Sequence, residues 1–284
     1  MADAAEQARP VVEVTADQSA RLDRDFWAGL WMFREAFRVL VWRAVRVRYK
    51  QTVVGVAWVV LRPLLLMAVL TLIFGVLAGL RGASAVPYTL LVLAGVLGWQ
   101  FFAGVMSESV ASLVANAQII GKIYCPRILF PASALAAGLF DLAITLLLFV
   151  PVMLWYAFAP GWHLLWLPFG LVLLALLTFG MGLWAAALNV RYRDFSILIP
   201  FALQVGFFVS PVAYPLATVP DDWQWLYMLN AMVGSLELLR WCLLGGDFGS
   251  LLPAVAWSSL VAAVLLFSGL RYFHRAERDF ADIV

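Results

Sequence analysis

Residues 86–110 read VPYTLLVLAGVLGWQFFAGVMSESV, a run with a single charge, Glu108. Such a run is long enough to cross the ~30 Å hydrocarbon layer of a bilayer, for which about 20 apolar residues suffice. Five more stretches of the same kind occur, near 53–80, 131–158, 163–189, 195–218 and 250–272. A soluble core is assembled from shorter runs with more polar surface between them. The expected fold is an all-α integral membrane protein with six transmembrane helices occupying residues 51–272.

Composition points the same way. The chain is 64% apolar and 13% charged, with a mean hydropathy of +0.94. A soluble domain is roughly 45–50% apolar and about 25% charged. A net charge of only +2 makes no case for nucleic acid. The placement of charge says more than its sum. Of the 19 Lys and Arg residues, only Arg81 and Arg240 fall in the connections on one side of the stretches. Basic residues beside spans stay on the cytoplasmic face, so both termini are expected there. Asp221, Asp222 and Asp247 fall on the opposite side.

Residues 1–25 are polar and mixed in charge, without the apolar core of a secretory signal. They read as a disordered cytoplasmic tail, and residues 273–284 as a second tail. Cys125 and Cys242 belong to opposite faces, too far apart for a disulfide. His163 and His274 are separated in the same way, so no zinc-type cluster is expected.

Residues 26–50 carry too many charges to span. At about 100° per residue, Phe26, Leu30, Phe33, Phe37, Leu40, Ala44 and Val47 form one stripe. Arg34, Glu35, Arg38, Arg43, Arg46 and Lys50 take the opposite half, and Arg48 breaks the pattern. A basic amphipathic helix of this kind lies in the membrane interface. In the first stretch Arg62 can snorkel to the headgroups, and Gly75 with Gly79 forms a GxxxG pattern.

The cytoplasmic loop 111–130 is moderately apolar. Pro126 and Pro131 punctuate it and end any helix there. Ile119, Ile120, Ile123 and Tyr124 need cover, either from the interface or from a partner protein. Gly121-Lys122 is not a phosphate-binding loop, because position 116 is Asn where glycine is required and Ile123 replaces Ser/Thr. The link 189–195, NVRYRDF, reads as a positive-inside turn. Residues 219–249 are too polar for a clean span and too apolar for a solvated loop. They read as one or two short re-entrant helices in the external leaflet. Glu237 and Arg240, three apart, can pair on one helical face.

Two acids lie within the stretches, Asp141 near mid-membrane and Glu108 toward the inner end. An intramembrane acid is a functional candidate by default. Isolated from any His or Lys, these two make a poor proton relay, and Asp141 reads as a structural acid bonded to a neighbouring helix.

A set of segments in order carries a family resemblance: RYKQTVVGVAWVVLRPLL (48–65), GVLGWQFF (95–102), SLVANAQIIGKIYCPRILFP (112–131), LNVRYRDFSILIP (188–200), FFVSPVAYP (207–215) and LNAMVGSLELLR (229–240). Together they resemble the permease subunit of type-2 ABC exporters of bacterial cell-surface polysaccharide, the O-antigen, capsule and teichoic acid exporters. The likeness runs from about residue 26 to the terminal RDFADIV. One departure is Asn230-Ala231, where the family usually has Asn-Pro, which loosens the expected turn there.

The resemblance implies a homodimer in the bacterial inner membrane, with two copies of an ATP-binding subunit beneath it. ATP and its magnesium ion sit on that partner, and this chain carries no cofactor and is not itself an enzyme. The implied cargo is a glycan on undecaprenyl diphosphate. The loop 111–127 is similar to the coupling helix, with Ile119, Ile120, Gly121, Lys122, Ile123 and Tyr124 meeting the ATPase. Sugar C–H faces pack on aromatic rings, and weak binding at many sites suits conduction. Trp99, Phe101, Phe102, Phe207, Phe208 and Tyr214 are the candidates for the glycan path. Trp155, Tyr156, Trp162 and Trp166 read as interface anchors. Arg46, Arg48, Lys50 and Arg62 are the inner-leaflet candidates for the lipid diphosphate. Competing readings are a type-2 exporter of another cargo, a polyprenyl-phosphate enzyme and a secondary transporter. The enzyme needs a metal-holding acid cluster, and Asp141 and Asp194 each stand alone. The secondary transporter usually shows an internal repeat, and none is seen.

Overall fold

The structure is a computed structural model and describes residues 32–50, 57–79, 86–120 and 125–277. Every regular element among them is helical. Helix α1 (Arg34–Lys50) precedes α2 (Ala57–Leu70), which runs on as π-helical turns over Thr71–Leu77. Then come α3 (Tyr88–Ala115), the single turn α4 (Ala117–Ile120), and α5 (Leu129–Leu146) with its bent continuation α6 (Phe149–Trp155). A 3₁₀ segment, Trp162–Trp166, leads into α7 (Leu167–Arg191). The chain closes with α8 (Phe195–Val209), the short helices α9 (Asp221–Met228) and α10 (Ala231–Leu244), and α11 (Phe248–Ala276).

Among the described residues, five rods have the length and apolarity of a membrane span: Ala57–Leu77, Tyr88–Ala115, Leu129–Trp155, Trp162–Arg191 and Phe248–Ala276. The stretch expected as a continuous span over 195–218 is different. Its helix stops at Val209, and Ser210 takes an extended backbone (φ −95°, ψ 149°). Pro211 is the cause, because a proline drives the preceding residue out of the helical region. The fifteen residues of α8 rise about 22 Å, short of the ~30 Å layer. The GxxxG expectation also fails. Gly75 is buried within the π-helical turns, whereas Gly79 lies beyond the helix end at φ 75°. That left-handed conformation is how glycine terminates a helix, so the two glycines do not share a face.

Helix α3 forms the centre. Leu90, Val92, Leu93, Ala94 and Val96 on it are fully sealed, and α2, α5, α7, α8 and α10 all pack against it. Helix α11 lies along α7 and α10. The interval 219–249 resolves into α9 and α10. From Met232 to Leu243 every residue of α10 is buried. The Asn230 side chain caps it, accepting from the Met232 N–H at 3.0 Å and donating to Ser210 Oγ at 2.9 Å. This cap holds the turn that the Asn-Ala departure was expected to loosen. Gly234 lets α10 meet α11, since a Cβ there would lie 2.1 Å from the Ala254 carbonyl oxygen.

Buried charge closes the end of the bundle where α8 gives way to α9 and α10. Glu237 and Arg240 form an ion pair at 2.6 Å. Arg240 also donates to the carbonyls of Leu91 (3.3 Å), Tyr214 (3.1 Å) and Val212 (2.6 Å), and Glu237 accepts from the Leu216 N–H at 3.0 Å. The pair binds the irregular segment after α8 to both α3 and α10. Gly95 makes room, because a Cβ there would lie 2.2 Å from the Val212 oxygen and 2.5 Å from Arg240 Nη2.

Arg240→Ala strands a buried carboxylate and is expected to cost about 3–5 kcal/mol. Gly95→Ala overpacks the same node, at about 1–3 kcal/mol. Gly104→Ala, on the same helix with nothing within 4 Å of its Cβ, is expected to be neutral or to stabilise by up to about 1 kcal/mol. Thermal unfolding in lipid nanodiscs ranks the three variants.

Candidate functional site

A cavity of about 820 Å³ opens between α2, α3, α5 and α8, and Arg48 of α1 reaches into it. Of the residues expected to meet cargo, it gathers Trp99, Phe101, Phe207, Phe208, Arg48 and Arg62. Trp99 packs edge-on to Phe207 at 6.0 Å, and Phe207 to Phe208 at 5.2 Å. Phe102 is not part of the wall. It is buried beneath Trp99, with ring centres 5.3 Å apart. Tyr214 lies in a separate pocket of about 350 Å³ with Phe74, Trp223 and Tyr227, its hydroxyl 2.9 Å from that of Tyr227.

The inner end of the cavity is built around an arginine that the sequence pattern left unexplained. Helix α1 packs against α5. Its covered side runs through Phe33, Phe37, Leu40 and Ala44 to Val45 and Arg48. Val47, expected in the stripe, points away and is 64% exposed. The one-residue shift has a cause: Arg48 turns inward and pairs with both Glu108 and Asp141. The Tyr49 hydroxyl donates to the other Asp141 oxygen. Burial, and then the Asp141 hydrogen bond and charge, push the Tyr49 phenol above its ordinary value, so it remains a protonated donor.

The two intramembrane acids, read from the sequence as isolated, therefore share one arginine. The break in the α1 stripe was the available signal. Arg46 lies over the Trp42 ring at 5.4 Å on the outward face of α1. The Lys50 side chain lies outside the described residues. Asp194 precedes α8 at the 189–195 turn.

The inner loop is tied back to the bundle. Ile119 and Ile120 of α4 are half-buried against a cluster containing Leu113, Ile128, Phe130 and Phe273. Gly121, Lys122, Ile123 and Tyr124 lie outside the described residues. Beyond them the Arg127 N–H donates to Glu277 Oε1 at 2.8 Å, and its guanidinium to the Glu277 carbonyl. Burial and Glu277 push the neighbouring Cys125 thiol up, while Arg127 pulls it down. Arg43 of α1 donates to the Asn116 side chain at 3.3 Å, so α1 is also fastened to the end of α3.

Five long apolar rods among the described residues, three of which line a polar-and-aromatic cavity together with α8, make this a multi-pass membrane protein with a candidate transport site. The chain belongs to the ABC-2 type transporter family, whose profile matches residues 35–244. It is 25% identical over 247 residues to the O-antigen export system permease protein RfbA of Klebsiella pneumoniae, covering 87% of this chain and 93% of that one. With the protein of the same name from Myxococcus xanthus it shares 27% over 259 residues, 90% of this chain and 97% of the other. It is 24% identical over 252 residues to the polysialic acid transport protein KpsM of Escherichia coli, spanning 88% and 96% of the two chains.

Removing Arg48 leaves two carboxylates without their cation and loosens α1, which keeps the Tyr49 and Arg43 contacts. Arg48→Ala is expected to weaken the local attachment by about 1–3 kcal/mol. Arg48→Lys is expected to restore only part of it, because a single ammonium lacks the guanidinium fork. Hydrogen–deuterium exchange across residues 34–48 in nanodiscs reads this directly, and unchanged exchange in Arg48→Ala would refute the pin.

Proposed function

We propose that this chain is the transmembrane permease subunit of an ABC transporter that exports a lipid-linked polysaccharide, of the O-antigen or capsule kind, across the bacterial inner membrane. The observation that carries the reading is the aromatic and polar cavity of about 820 Å³ at the side of the bundle, in a chain similar to named glycan-export permeases over nearly its whole length. Aromatic rings there offer stacking faces to sugars, and the groove is wide enough to hold several units weakly at once.

Two copies act together. Helix α8 contains no buried residue, with Ile197, Phe201 and Phe208 more than half exposed. Such a helix beside the cavity suits pairing with a second subunit whose own cavity completes the path. Helix α8 and the segment held by Arg240 serve as the sixth crossing, and α9 and α10 as the re-entrant pair. Both termini lie in the cytoplasm. ATP and its magnesium ion are bound and hydrolysed on a separate subunit, of which two copies dock beneath. The loop 119–124 receives their motion, with Ile119 and Ile120 anchoring it to the bundle through the inner apolar cluster. Among the four arginine and lysine candidates for the undecaprenyl diphosphate, Arg62 is favoured. It faces the cavity, whereas Arg48 already holds two acids.

The test is ATP hydrolysis in proteoliposomes containing this chain with the ATPase encoded beside it. Hydrolysis is expected only in the co-purified complex. Replacing residues 119–124 by a Gly/Ser linker is expected to lower it at least tenfold while membrane insertion survives. A chain that recruits no ATPase and instead turns over a polyprenyl phosphate would refute the export reading.

A further inference from the structure

The polar groups of the cavity are balanced in charge and incompletely used. Among the described residues that line it, two cations, Arg48 and Arg62, face two anions, Glu108 and Asp141. Asp141 has both oxygens engaged, one by Arg48 and one by Tyr49. Glu108 is different. Only its Oε2 pairs with Arg48, and the side chain is 40% exposed. No hydrogen bond from a described residue reaches its other oxygen.

Gln100 supplies the complementary group. Its amide nitrogen is buried and has no hydrogen-bond partner among the described residues, although the residue lines the same cavity. A buried donor without a partner is costly, and a turn of the side chain toward the cavity it lines would bring the amide to an acceptor on a ligand there. Gln100 and Glu108 are eight residues apart on α3, so they lie ~12 Å apart along the axis and about 80° apart around it. Gly104 sits midway between them on the cavity wall. Nothing lies within 4 Å of where its Cβ would be, which leaves a flat floor of helix backbone. Gln204 lines the opposite wall, beside Phe207 and Phe208.

We infer that this cavity is a subsite for a short run of uncharged sugar units, and that Glu108 and Gln100 set its selection against acidic glycans. The inference rests on the export reading above and narrows its cargo. Sugar hydroxyls both donate and accept, so they satisfy the open carboxylate oxygen and the unpaired amide together. Their C–H faces lie against Trp99 and Phe207. A carboxylated sugar brings a second negative charge into contact with Glu108, and like charges at close range repel. Among the described residues that line the cavity, no net positive charge offsets that repulsion. Selection by repulsion of the wrong partner is a general device of specific sites.

The test uses the chain in nanodiscs with its partner ATPase, and saturation-transfer NMR as the readout. Maltotriose, mannotriose and chitotriose serve as neutral probes, and α2,8-linked trisialic acid as the acidic one. At least one neutral trisaccharide is expected to bind saturably, and trisialic acid at least tenfold more weakly. Gln100→Leu is expected to weaken the neutral probe at least fivefold. Glu108→Gln leaves Arg48 paired with Asp141 and is expected to shrink the neutral-to-acidic ratio at least tenfold. Equal or tighter binding of trisialic acid overturns the inference. So does the absence of saturable binding by any probe, or a ratio that neither substitution moves. Permease-dependent ATP hydrolysis in the same nanodiscs reports separately on the export reading. Its loss in every sample refutes export, whereas intact hydrolysis with an unmoved ratio refutes only the selection.

Discussion

Arg240 is a guanidinium enclosed by apolar helices, and much of the surrounding end of the bundle is arranged to satisfy it. It has four acceptors: the Glu237 carboxylate and the carbonyls of Leu91, Val212 and Tyr214. In a bilayer no water reaches irregular backbone, so every exposed carbonyl must find a donor within the protein. The segment that follows α8 has such carbonyls, because Pro211 interrupts the helix ahead of them. Arg240 caps two of them and Glu237 takes the Leu216 N–H. The burial of α10, the close approach at Gly95 and the shape of the segment after α8 all follow from this one node.

A second charged node lies at the inner end. Arg48 reaches Glu108 on α3 and Asp141 on α5. It therefore joins α1 to two helices that wall the cavity. The Arg43–Asn116 contact runs between the same helix and the start of the inner loop. Side chains of α1 thus contact both the cavity wall and the start of the loop. The Arg127–Glu277 contacts complete the frame by tying the far end of that loop to α11.

Between the two nodes the aromatic residues divide by role. Trp99 and Phe101 are mostly buried and show the cavity only part of each ring. Phe208 stands at its open side, 65% exposed. Trp155, Trp162 and Trp166 have half or more of their surface exposed, at the end of the bundle where a headgroup region would meet them. Trp162 adds an inward contact, with His163 tilted beside it and Trp241 edge-on to both. Position along a helix axis and direction around it together decide whether a ring serves the core, the cavity or the lipid.

Hydropathy and charge asymmetry are local sums along the chain, and they were enough to locate five of the apolar stretches and to set the charged helix before them apart. The three-residue spacing of Glu237 and Arg240 was also sufficient to put them on one helical face. The end of α8 was encoded too, in Pro211, but an apolar window does not register a single backbone restriction. What the sequence could not supply is any pairing between distant segments. Arg48 and Asp141 are 93 residues apart, and only the packing of α1 on α5 brings them together. The same holds for the cavity, whose wall takes Gln100 and Trp99 but not Phe102, neighbours on one helix facing different partners. Sequence periodicity determined which residues could share a face, and tertiary packing alone decided what each face would meet.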